Sequence, residues 1–135
     1  MRILGASTET QIDTVFAALA DRKADALIVA ADPFLFSHRE QLIALAARDR
    51  IPTMYTVPAY AAMGGLISYT SKGDDRDVRL QVGRCTGRVL NGEKPGDLPV
   101  VLSTRFQMVI NLKTAKALGL TVPHSLLQRA DEVIE

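Results

Sequence analysis

The run Asp32-Pro33-Phe34-Leu35-Phe36 has the residue types that could hold a small molecule. An aspartate can receive an ammonium or hydroxyl group, and Phe34 or Phe36 can wall an apolar pocket. Proline fixes its own φ and drives Asp32 toward an extended backbone, so the carboxylate would be presented in a defined direction. The same residues also fit an Asx-type turn followed by two core phenylalanines. Spacing alone leaves both readings open. Tyr55, Tyr60 and Tyr69 are the chain's only tyrosines. Each joins an apolar ring to a hydroxyl, which suits gripping a ligand and suits packing equally well.

Catalytic chemistry finds less support. His38 and His124 fall in predicted first turns of helices, with no Cys, Asp or Glu at metal-ligand spacing. The chain has no Gly-x-Ser-x-Gly elbow, no Walker loop and no Gly-x-Gly-x-x-Gly. Gly64-Gly65 is an isolated pair that does not lead into a long helix, as a phosphate loop would. Cys85 lies inside a predicted helix near its buried side and reads as core. Asp74, Asp75 and Asp77 suit a helix N-terminus, while Arg76, Arg79, Arg84 and Arg88 read as a solvated face. No nucleophile, base and orienting group stand together. The expectation is a binding protein rather than an enzyme, without metal or cofactor.

The elements that would position these residues follow from periodicity. Arg2 to Ala6 reads as a short strand. Thr8-Glu9-Thr10-Gln11 has the form of a capping box, and Ile12, Val15, Phe16 and Leu19 make one stripe of a helix over 9–22. Ala26 to Ala30 is continuously apolar, as in a strand covered on both faces. Ser37-His38-Arg39-Glu40 looks like a second capping box, opening a helix to about Asp49. A strand over 51–56, a short helix over 58–63 and a short strand or crossover over 66–69 come next. A long helix spans 74–91, stopped by Asn91-Gly92. A strand over 105–111, a helix from Asn111 to Gly119 and a terminal helix from Pro123 to about Ile134 complete the pattern. Regular β–α alternation without hairpin turns predicts an α/β fold, a three-layer parallel sheet with flanking helices. Such sheets bind ligands beyond the carboxyl ends of their strands, here 5–8, 31–36, 56–60 and 69–72.

Bulk properties narrow the partners. A chain of 135 residues fits one α/β domain with a real core. The formal net charge of +1 gives no electrostatic case for nucleic acid or an anionic membrane surface. A single cysteine excludes an internal disulfide. No stretch approaches the roughly 18 apolar residues of a membrane span, and the N-terminus does not read as a secretory signal.

Four segments carry a family resemblance. They are Ala-Asp-Ala-Leu-Ile-Val-Ala-Ala-Asp-Pro-Phe (24–34), Gly-Gly-Leu-Ile-Ser-Tyr (64–69), Gly-Arg-Val-Leu-Asn-Gly-Glu-Lys-Pro-Gly-Asp-Leu-Pro-Val (87–100) and Val-Ile-Asn-Leu-Lys-Thr-Ala-Lys-Ala-Leu-Gly-Leu-Thr-Val-Pro (109–123). The sequence resembles the ABC-transporter substrate-binding proteins of type I periplasmic-binding-protein fold, tryptophan-type members included, from about residue 3 onward. The resemblance is to their C-terminal half. It implies a second lobe closing on a small organic solute such as an amino acid, with 74–135 as the segment returning toward a first lobe. It also implies a single α/β domain over 1–135, a permease as partner and a periplasmic setting. Without an export signal, the chain as it stands is expected in the cytoplasm. By family position Asp32, Tyr55, Tyr60 and Tyr69 become candidate ligand-binding residues, and Phe34 joins them as a candidate pocket wall.

Two rivals share the fold class. One is the effector-binding or dimerisation module of a regulator, which would need a DNA-binding headpiece. The other is a small flavodoxin-like enzyme, which would need the catalytic set missing above. The chain is also expected to form a homodimer through 74–135, where Val78, Val82, Val89, Met108 and Ile110 would otherwise be bare.

Overall fold

A computed structural model describes residues 1–71, 75–100 and 105–135, with the side chains of all of these except 75–77. Lys72 and Asp74 lie outside the described residues, as do the side chains of Asp75 and Asp77 that complete the expected acidic cluster. The chain divides into two compact units, residues 1–70 with 108–135, and residues 71–107.

The first unit is built on a sheet of parallel strands. Helix α1 (Glu9–Asp21) starts where the capping pattern places it. Thr8 Oγ1 accepts from Gln11 N at 3.3 Å, while Gln11 Oε1 accepts from Ser7 N at 2.7 Å. Strand β1 (Leu27–Val29) pairs in parallel with β2 (Thr53–Tyr55), with Val29 opposite Tyr55. β2 pairs in parallel with β3 (Ile67–Ser71), with Tyr55 opposite Ser68. No hairpin interrupts 26–56. Between β1 and β2 lie α2 (Pro33–Ser37) and α3 (Arg39–Arg48), and α4 (Pro58–Ala62) leads from β2 toward β3. One face of β1 and β2 receives Ile12 and Phe16 of α1 and Leu42, Leu45 and Ala46 of α3. Together with Val29, Ile51, Tyr55 and Tyr60 they form one buried cluster. Each such large apolar side chain contributes roughly 1.5–3 kcal/mol on leaving water.

The rest of this unit follows β4 (Phe106–Asn111), whose first two residues belong to the second unit. The sheet order is β1-β2-β3-β4-β5, with β5 the strand Glu132–Ile134. Asn111 closes β4 and starts α6 (Leu112–Ala117), its Oδ1 accepting from Thr114 N at 3.1 Å. Its Nδ2 donates to Ala61 O at 3.0 Å, and Thr114 Oγ1 donates to Gly64 O at 2.8 Å. A short α7 (His124–Leu127) precedes β5 (Glu132–Ile134), which pairs in parallel with β4.

The second unit carries α5, Asp75–Leu90. A turn with Gly92 at φ +93° and a single 3₁₀ turn over Pro95–Asp97 follow it. Arg88 and Glu93 form an ion pair around that turn.

Several expectations are corrected. Residues 2–6 form no strand, and Ile3 is 86% exposed: an apolar run without a ladder partner stays coil. The expected terminal helix over 123–134 is one helical turn followed by β5, because Val109, Ile110 and Asn111 offer a ladder to Glu132, Val133 and Ile134. Ile28 is 61% exposed, so β1 is not covered on both faces. Ile110 is fully buried rather than bare, while Val78, Val82 and Val89 are exposed as expected. The helix expected from Ser37 to Asp49 begins at Arg39, and Ser37 Oγ instead donates to Phe34 O at 2.7 Å.

Gly65 lets the backbone pass close against the core. A Cβ there would stand 2.7 Å from Tyr55 Cε2 and 2.8 Å from Tyr60 O. Backbone oxygen cannot yield as a side-chain end does. Gly65→Ala should therefore cost about 1–3 kcal/mol in chemical denaturation. A variant as stable as the wild-type chain would contradict this seating.

Candidate functional site

The carboxyl ends of β1 and β2 lie side by side, and the segments that follow them carry most of the candidate residues. Asp32 stands three residues past β1 with φ −150° and ψ 135°, the extended backbone expected before proline. Its Oδ1 accepts from Leu35 N at 3.0 Å and caps α2, and the residue is exposed. The Asx-turn reading of this carboxylate is therefore realised, and only one of its two oxygens is used by it. Phe34 is half-buried against the core, with its ring centroid 4.3 Å from that of His38. His38 Nδ1 lies 2.9 Å from Phe34 O and 3.0 Å from Ser37 Oγ, so this imidazole is engaged in holding the turn.

The aromatic rings form a chain from the core outward. Tyr55 and Tyr60 stack with centroids 4.4 Å apart and planes 13° from parallel. The Tyr60 hydroxyl donates to Leu35 O at 3.1 Å, which fastens α2 to α4. Phe36 meets Tyr60 edge to face at 5.8 Å and is 37% exposed. Arg39 completes the series, its guanidinium carbon 5.0 Å from the Phe36 ring centroid and Nη1 donating to Phe36 O at 3.2 Å. A guanidinium over an aromatic face is an attractive pairing.

Of the five candidates, Asp32, Phe34, Tyr55 and Tyr60 are gathered at these two strand ends. Tyr55 and Tyr60 are 1% and 2% exposed, so their rings stand behind the surface and support it. Tyr69 is separate. Ser68 is in register with Tyr55, so Tyr69, one residue on, faces the other side of the sheet and is 41% exposed. Sequence reasoning offered Phe36, with Phe34, as a pocket wall but did not single out Arg39 as its partner. Their spacing of three across the α2–α3 junction was the available signal.

Electrostatics follow from this layering. Burial pushes the Tyr60 hydroxyl above its ordinary value; Arg39 opposes the rise and Asp32 adds to it. Both charges thus act on one hydroxyl, which places Asp32, Arg39 and Tyr60 in a common field. A cavity of about 20 Å³, room for about one water, is lined by Ile43, Ile51, Thr53, Tyr55, Gly65 and Leu66 among others. Among the described residues no group of three or more His, Cys, Asp or Glu is placed to hold a metal. No described helix is long and apolar enough to cross a membrane.

Tyr55 gives a pH dependence. Burial, opposed by a hydrogen bond with Thr53 and aided by Tyr60, pushes its hydroxyl up to about 12. The unfolded chain ionises this group near pH 10 and the folded chain holds its proton longer. The stability it contributes is full below about pH 10 and is lost as pH rises toward 12, by about 2–3 kcal/mol at most. Denaturant midpoints should fall over that window in the wild-type chain and less steeply in Tyr55→Phe. Equal slopes would show that Tyr55 ionises freely in the folded state.

Comparison with known proteins places this arrangement. The family of ABC transporter substrate binding proteins matches residues 4–134. The structure of an ABC domain in complex with L-Trp from Streptococcus pneumonia superposes with a TM-score of 0.73 and 29% identity, covering 96% of this chain and 44% of that one. A conserved domain protein from Vibrio cholerae superposes at 0.75 with 26% identity, covering 95% and 42%. A ligand-free, open substrate binding protein with adhesive properties from Clostridium difficile shares the fold at 0.64 and 23% identity, covering 97% and 43%. No curated protein matches the chain. The chain therefore spans less than half the length of the solved structures it matches. Its mostly parallel five-stranded sheet with flanking helices is a periplasmic-binding-protein-like fold. With the match running over nearly all of its length, the chain belongs to the family of ABC transporter substrate binding proteins.

Proposed function

We propose that this chain forms one wall of the solute site of an ABC importer's binding component. The observation that carries this reading is the group at the carboxyl ends of β1 and β2. There an exposed ring, a cation and a carboxylate stand on a rigid aromatic base. An open platform of this kind contacts one side of a small solute, and a first lobe would close on the other. A solved relative is described in complex with L-Trp, so an aromatic amino acid is the first solute to try. The role is binding without turnover, and the partner of the closed protein is the importer's permease. The setting is the periplasm.

Asp32 tests the reading. In NMR titrations of the chain with L-tryptophan, Asp32→Ala should weaken binding by roughly 1–3 kcal/mol, the cost of unpairing a charged hydrogen bond. Asp32→Asn keeps an acceptor for Leu35 N and removes the charge. It should also weaken binding if the carboxylate meets the solute's ammonium group. Wild-type affinity in Asp32→Asn would show that this residue only shapes the turn. No response of residues 32–60 to any amino acid would defeat the proposed function.

The same reading extends to assembly. Val78, Val82 and Val89 of α5 are 54%, 60% and 39% exposed. Two copies covering this helix would form a homodimer through residues 74–135, with an interface above about 1,000 Å². Light scattering at micromolar concentration should return twice the 14.7 kDa chain mass. The monomer mass would overturn the dimer and leave the solute-binding reading intact.

A further inference from the structure

Arg39 is placed where a helix disfavours it. It is the first residue of α3, and the N-terminal turn of a helix favours acids over bases. Arg48 and Arg88, in the last turns of their helices, pair with Asp49 and Glu93, whereas Arg39 has no carboxylate partner among the described residues. One donor of its fork goes to Phe36 O, and the guanidinium lies over the Phe36 ring. Four of the five N–H donors of a guanidinium remain for another acceptor. The ring under it is exposed and is braced edge-on by Tyr60, whose hydroxyl is tied to Leu35 O. The cation is therefore oriented, half-buried and uncompensated at the edge where a parallel sheet receives ligands.

We propose that Arg39 is the residue that holds the solute's carboxylate, with the exposed ring of Phe36 lying against the solute's apolar part. A planar fork matches a carboxylate with two parallel hydrogen bonds, which a lysine cannot reproduce. Asp32, which keeps one carboxylate oxygen outside its capping bond, stands to take an ammonium group. The ligand class is then an organic acid with an apolar or aromatic body, amino acids included. Amines without an acid group are excluded from the Arg39 contact. The inference rests on the solute-binding reading above and assigns the discrimination within it to a residue outside the original candidates.

The test uses the isotope-labelled 135-residue chain and three probes that share one ring: L-tryptophan, indolepropionate and tryptamine. Two-dimensional NMR follows the Arg39 side-chain Nε–H and the backbone amides of residues 32–39. L-Tryptophan and indolepropionate should shift the Arg39 signal, and tryptamine should leave it in place. Arg39→Met, which keeps the stem over Phe36, should weaken both acids by about 10-fold or more and leave tryptamine unchanged. Arg39→Lys should recover only part of the loss. If all three probes move the same residues, Arg39 included, or if Arg39→Met binds L-tryptophan as the wild-type chain does, the carboxylate role is wrong while solute binding at this edge stands. If none of the probes moves residues 32–60, the solute-binding reading itself fails and takes this inference with it. The probe comparison on the wild-type chain decides the matter even if Arg39→Met does not fold.

Discussion

The stacked rings of Tyr55 and Tyr60 fix the relation between the ends of β1 and β2, and the candidate site depends on that relation. Tyr55 is the last residue of β2 and Tyr60 belongs to the helix that follows it. Gly65 approaches both so closely that the chain leading into β3 is held in the same place. Through its hydroxyl, Tyr60 reaches across to Leu35 and so holds the turn that follows β1. An aromatic pair adds about 0.5–1.5 kcal/mol beyond its buried area, but its larger contribution here is positional. Phe36 and Arg39 have their places because Tyr60 has its own.

The inner rings and the outer groups therefore divide the work. Tyr55 and Tyr60 are buried; Phe36 and Asp32 are exposed and Arg39 is half-buried. Rigid support beneath and polar or exposed groups above is the arrangement that lowers the ordering cost of capturing a small molecule. A tyrosine near a strand end looks the same in sequence whether it serves as base or as contact, because strand periodicity does not say which neighbours stack on it.

Local signals carried much of the fold. The apolar runs at 26–30 and 51–56, the strand at 105–111, the Thr8 cap and the Asn111 cap all appear where the residues place them. What failed was non-local. β5 exists because β4 offers it a ladder more than twenty residues earlier in the chain, while residues 2–6 have strand composition and no ladder. The second capping pattern, at Ser37, lost to a nearer competitor: Asp32 capped a helical turn first, and Ser37 became its end. In sequence, a lone arginine in a first helical turn resembles surface charge; what distinguishes Arg39 is the ring and the carbonyl that surround it in the fold.

β1 has a further consequence for the behaviour of the chain in solution. It is three residues long, stands at the end of the strand order and exposes Ile28. Unpaired N–H and C=O groups on one side of a strand are a template for another strand, and an apolar side chain beside them makes the template adhesive. Neither charge nor proline guards Leu27, Ile28 and Val29. Where unfolding chains associate through such an edge, the melting temperature reports a rate as much as an equilibrium.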